Sequence, residues 1–96
     1  MAILCVFDNP NATTDLYDRV SSKIGDEVPE GGIVHVACKR EGGGLFVVEC
    51  WESEDAFQKW SQRIDKEIQA AGGPPRVQPK KYQVHNIRTG KAFTKT

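Results

Sequence analysis

The chain reads as one α+β domain, a four-stranded antiparallel sheet carrying two helices, and three observations predict it. Short segments at residues 2–7, 33–39, 45–52 and 81–87 have strand length, the first and third of them apolar on both faces. Two longer stretches, residues 13–25 and 53–71, repeat their apolar side chains at helical spacing instead. Clusters of glycine, proline, asparagine and aspartate separate these segments, as turns require.

The first strand, residues 2–7, is six apolar residues in a row, closed by Asp8-Asn9-Pro10-Asn11. An unbroken apolar run of this length suits a strand buried on both faces. Thr13 is placed to cap a helix, its hydroxyl accepting from free backbone N–H groups of the first turn, with Asp15 at the positive helix end. Leu16, Val20 and Ile24, with Tyr17 beside them, form its apolar stripe. Pro29 and Gly31-Gly32 mark a loop before the second strand, and Glu41-Gly42-Gly43-Gly44 is a hairpin turn into the third. Ser53 caps the second helix, where Phe57, Trp60, Ile64, Ile68 and Ala71 make the stronger stripe. Gly72-Gly73-Pro74-Pro75 stops that helix, and the last strand leads into a basic tail at residues 88–96. The order βαββαβ has the ferredoxin-like motif as its commonest solution, with strand order 4-1-3-2. The pattern agrees: strands 1 and 3, central in that order, are the continuous apolar ones, and the edge strands hold the polar residues.

Composition narrows the function classes. The chain of ninety-six residues is 39% hydrophobic and 27% charged, an ordinary globular composition, and residues 1–87 are expected to make its one domain. Formal net charge is zero, so no global field draws the chain to nucleic acid or membrane. The charge is unevenly spread, with 13 acids against 7 Lys/Arg over residues 1–75 and six Lys/Arg without an acid beyond. No run approaches the ~20 apolar residues that span a bilayer. Cys5, Cys38 and Cys50, an odd count without a secretion signal, read as free thiols in a reducing, cytoplasmic setting. No metal and no cofactor are expected. There is no CxxC, no histidine pair at ligand spacing and no phosphate-binding glycine loop, and His35 and Cys38 fall on opposite strand faces.

Layer counting implies a partner. Two helices cover one face of a four-stranded sheet, yet strands 1 and 3 are apolar on both faces. The other face would leave an apolar patch that soluble monomers rarely tolerate. A second copy, sheet against sheet, removes it, so a homodimer is expected.

Several segments also look familiar together. They are Phe7-Asp8, Tyr17-Asp18, His35-Val36-Ala37, Val47-Val48-Glu49-Cys50-Trp51-Glu52-Ser53 running into Ala56-Phe57, and Tyr82-Gln83-Val84-His85-Asn86-Ile87. On these the chain resembles the dimeric α+β-barrel superfamily, with its antibiotic-biosynthesis-monooxygenase-like and stress-responsive barrel proteins, and is most similar to small uncharacterised bacterial members. The resemblance implies two sheets packed face to face across a dimer and a small cavity. Members of such a group oxidise polycyclic phenols without metal or flavin, degrade haem, isomerise small molecules or have no known activity. The haem-degrading members carry a histidine ligand on a helix, and neither helix here contains a histidine.

The residues that could carry chemistry are few. Glu49 is a carboxylate between Val48 and Cys50 in a central strand, and an even pairing sum puts His35 on its face. A His35–Glu49 pair can act as general acid and base, the carboxylate orienting the ring. It can equally be a structural hydrogen bond at the dimer seam. Alternation sends His85 either to the cavity, beside His35 and Glu49, or under the helices as a core histidine; Tyr82 offers a phenol donor, and Trp51 shares the face of Glu49 as an aromatic wall. His85, Trp51 and Tyr82 are the expected ligand contacts. Three functions follow: an acid–base enzyme, monooxygenase-like or isomerase-like, acting on a small organic molecule; a binding or stress-response accessory protein with the same pocket; and a structural dimer. A cavity of about 300 Å³ or more, with both histidines opening into it, separates the first two from the third.

Overall fold

The computed structural model describes residues 1–90; the expected basic tail at 88–96 lies mostly outside them. Its elements are β1 (Ile3–Asn9), α1 (Thr14–Ile24), β2 (Gly32–Lys39), β3 (Leu45–Trp51), α2 (Glu54–Ala70) and β4 (Lys80–Gln83). The strands form one antiparallel sheet in the order β2-β3-β1-β4, the arrangement the apolar pattern predicts. Thr13 Oγ1 accepts from the Leu16 N–H at 3.1 Å and Ser53 Oγ from the Ala56 N–H at 3.1 Å, so both expected caps form. Gly72, at φ +80°, turns the chain out of α2.

The last strand is shorter than the expected 81–87. Gln83 pairs with Ile3 and the Val84 N–H donates to the Ala2 carbonyl at 3.0 Å, after which β1 offers no further partner. An edge strand ends where its neighbour ends, so His85 sits in a bend beyond β4 rather than in a strand.

Register decides which side chains meet. The hairpin joins Lys39 to Leu45, and the pairing runs on through His35 opposite Glu49 to Val34 opposite Cys50. Between Val34 and Gly32 the register slips by one residue, a bulge. On β1, Cys5 lies opposite Glu49 and Phe7 opposite Val47. One face therefore carries Cys5, Phe7, His35, Val47, Glu49 and Trp51. This is the helix-covered face, because Cys5, Phe7 and Trp51 form the core with Phe57 of α2. Phe57 packs edge-on against Trp51 at 6.2 Å between ring centroids and tilted against Phe7 at 6.3 Å. The other face carries Val34, Val36, Phe46 and Tyr82, all partly open to solvent.

Candidate active site

Glu49 is a charge-bearing residue in the middle of a sheet, and it is 5% exposed. A carboxylate there needs acceptors filled from groups within reach. On β3 itself, Trp51 is two residues along on the same face, and its indole Nε1–H donates to Glu49 Oε1 at 3.0 Å. On β2, His35 is directly opposite, with Nδ1 2.8 Å from Glu49 Oε2. Both carboxylate oxygens are thereby satisfied. The ring's other nitrogen, Nε2, lies 2.7 Å from the hydroxyl of Tyr17 on α1, with the two rings nearly parallel at 24°.

Donor and acceptor roles follow from chemistry. An ionised carboxylate only accepts, so Nδ1–H donates to Glu49, and Nε2 is left as an acceptor for the Tyr17 O–H. Burial first, then the negative charges of Glu49 and Asp18, push the Tyr17 phenol above its usual range and keep its proton on. The result is a phenol–imidazole–carboxylate chain braced by an indole. Its members come from α1, β2 and β3.

The chain opens on a cavity of about 520 Å³ between the helices and the sheet. Leu16, Val20, Trp51, Trp60, Ile64 and Val77 supply apolar wall, and Tyr17, His35 and Glu49 form one polar pole. The size suits a small organic ligand of a few rings. At another part of the wall stands Arg76, its guanidinium 5.0 Å above the Phe7 ring.

Three of the five expected residues, His35, Glu49 and Trp51, thus come together. They do so on the helix-covered face, not at a seam between sheets, because the hairpin register turns His35 and Glu49 toward α1 and α2. Tyr82 is paired with Leu4 on the opposite face and is 51% exposed, so it stands apart from this group. His85, beyond the end of β4, is exposed and does not line the cavity; only one histidine of the two does. Tyr17 and Arg76 were missed. Tyr17 had a signal, since it keeps helical spacing with Val20 and Ile24 and so had to face inward. Arg76 had none, lying in a proline-rich connection without periodicity.

Cys5 lies across the strand from Glu49, and burial first, then the charge of Glu49, push its thiol up to about 11. It stays protonated at neutral pH and is no nucleophile. Among the described residues no group of three or more His, Cys, Asp and Glu is gathered as metal ligands would be, and no helix is long and apolar enough to cross a membrane.

Comparison with known proteins supports the fold. A solved structure from Chloroflexus aurantiacus J-10-fl, described as a candidate antibiotic biosynthesis monooxygenase, superposes with a TM-score of 0.56 over 94% of this chain and 95% of its own, at 13% sequence identity. No family model matches the sequence, and no curated protein matches it. At that identity the likeness is one of architecture.

Proposed function

We propose that the protein is an acid–base enzyme that removes a proton from a small, largely aromatic organic molecule bound between helices and sheet. The observation that carries this reading is the hydrogen-bonded chain Tyr17–His35–Glu49, ending at the wall of a largely apolar cavity of about 520 Å³. The Tyr17 oxygen gives its own proton toward His35 Nε2, which leaves its lone pairs able to accept from a ligand O–H or acidic C–H. As that proton moves to Tyr17, the phenolic proton moves to His35, and Glu49 stabilises the imidazolium that forms. The substrate keeps the electron pair as an enolate or phenolate. Reprotonation at another atom makes the reaction an isomerisation. Addition of that electron-rich anion to molecular oxygen, protonation to a hydroperoxide and loss of water to leave a carbonyl make it monooxygenase-like, the activity named for the structural neighbour: one oxygen atom enters the substrate, the other leaves as water, and the substrate supplies the electrons. No bound cofactor is needed for either first step.

The test is proton exchange. Tetralone, an aromatic ketone, is incubated with the protein in deuterium oxide and its α-proton signal followed by NMR. The wild type is expected to accelerate exchange, and His35→Ala, Tyr17→Phe and Glu49→Gln to lose about 10²-fold or more of that acceleration. Exchange that survives all three changes refutes the reading.

A second reading has its own support. Among the described residues no buried side-chain nitrogen or oxygen lacks a partner, so the network is complete without a ligand. Such a site suits a non-catalytic ligand-binding or stress-response accessory protein. Saturable binding of tetralone with no exchange above background selects it.

The protein is further proposed to act as a homodimer, sheet against sheet, which the partly exposed Val34, Val36, Phe46 and Tyr82 on one face support. A cytoplasmic setting is supported by the placement of the free thiols. Cys5 and Cys50 lie on opposite faces of adjacent strands, and Cys38 is four residues along β2 from the partner of Cys50, about 13 Å away.

A further inference from the structure

The cavity has a second pole that the proton chain does not use. Arg76 is the one arginine or lysine, and Glu49 the one acid, among the described residues lining it. The Arg76 side chain is largely buried, 22% exposed. Its Nε–H donates to Asp65 Oδ1 and its Nη2 to Ser61 Oγ, each at 2.9 Å. Both of those partners border the groove on the outer side of residues 74–77 and neither lines the inner cavity. Asp65 is itself 59% exposed, so water screens much of its hold on the guanidinium. Nη1 donates to no acceptor among the described residues.

We propose that this pole binds a carboxylate, and that the protein's ligand is an aromatic carboxylic acid of two or three fused rings. Its anion sits on Arg76 Nη1, and its hydroxyl or acidic C–H reaches Tyr17 and His35; the second half of this statement rests on the acid–base reading above. A guanidinium with unfilled N–H groups beside an apolar wall is a strong site for a carboxylate, because the hydrogen bonds are charge-assisted. Orientation follows from the opposite sign of the poles. The buried Glu49 repels an anion, so a charged ligand docks with its carboxylate at Arg76 and its neutral, proton-bearing end at the phenol. Length follows from the sheet. Arg76 lies over Phe7, which is two strands across and two residues along from His35. That displacement is about 12 Å between backbone positions, a span that two or three fused rings with a substituent at each end fill once side chains are counted. Phe7, Trp51 and Trp60 give the cavity aromatic wall.

The test compares two fluorescent probes, naphthol and a hydroxynaphthoic acid with its hydroxyl and carboxylate at opposite ends of the rings. The acid is expected to bind the wild type about tenfold tighter or more. In Arg76→Gln that preference disappears while naphthol binding holds. In Asp65→Asn, which removes the outer counter-ion, the acid binds several-fold tighter still, a gain that lost folding cannot mimic. Equal binding of both probes to the wild type, a preference that persists in Arg76→Gln, or no gain in Asp65→Asn overturns the proposal. Naphthol that binds without any advantage to the acid leaves the acid–base reading standing, whereas failure of both probes to bind removes both.

Discussion

Replacing Glu49 with glutamine should reverse the direction of the whole hydrogen-bond chain. The carboxylate accepts twice, from Trp51 Nε1–H at 3.0 Å and from His35 Nδ1–H at 2.8 Å. A carboxamide has one oxygen and one NH₂, so it accepts from only one of them. The indole is a donor alone and takes the oxygen. The NH₂ then faces Nδ1, which must become an acceptor. The ring proton moves to Nε2, where it meets Tyr17, and the tyrosine hydroxyl turns its hydrogen toward the cavity. Each bond also changes from charge-assisted to neutral, a loss of about 1 kcal/mol for the buried indole bond and less for the imidazole bond, whose ring is 46% exposed and open to competition from water. The expected cost is about 1–2 kcal/mol, or roughly 5–15 °C in Tm for a domain of this size. Glu49→Ala instead leaves the buried indole N–H without an acceptor and opens a void, at about 3–5 kcal/mol. Urea unfolding measures both costs, and long-range ¹H–¹⁵N NMR of the imidazole reads the tautomer directly. A glutamine variant whose His35 keeps Nδ1–H, or one as unstable as the alanine variant, would show that Glu49 does not organise the chain.

Other outcomes follow from single contacts. Tyr17→Phe removes one partly exposed hydrogen bond, so stability should fall by about 1 kcal/mol or less while tetralone exchange falls steeply; equal losses in both assays would make Tyr17 a packing residue. The Cys5 thiol, raised from the usual value near 9 to about 11, holds its proton in the fold at pH values where the unfolded chain has lost it. Its contribution is therefore complete below pH 9 and is lost as pH rises toward 11, and the fall in urea midpoint over that window should be shallower in Cys5→Ala. Phe46→Glu, on the uncovered sheet face, should halve the solution mass measured by light scattering at micromolar concentration, whereas a wild type that is already monomeric removes the dimer.

Much of this arrangement was legible in the residues because it rests on local rules. Thr13 and Ser53 announce helix starts by their hydroxyls, the glycines at 42–44 announce a hairpin, and the apolar runs at 2–7 and 45–52 announce central strands. The pairing of His35 with Glu49 was legible only as one of two parities, since a glycine-rich turn permits either register and a shift of one residue moves a side chain to the other face. The reach of β4 was not legible: it depends on where β1 begins, and that removed His85 from the sheet. Nor was Arg76, whose position is set by tertiary contacts with Asp65, Ser61 and Phe7 rather than by any repeat.

The site also explains why a helix that packs lightly can still be held in register. Glu49 must fill its oxygens from the face it occupies, which commits Trp51 and one nitrogen of His35 to it. The imidazole then has a single nitrogen left, and it points away from the sheet toward α1, where Tyr17 closes the chain at 2.7 Å. The same bond therefore helps to dock α1 on the sheet and to prime the phenol for a ligand. A ligand that draws the Tyr17 proton inward or outward changes how firmly α1 is held. Amide exchange along residues 14–24 should accordingly slow when a hydroxynaphthoic acid binds the wild type, and should change far less in Tyr17→Phe, where the docking bond and the reacting group are removed together.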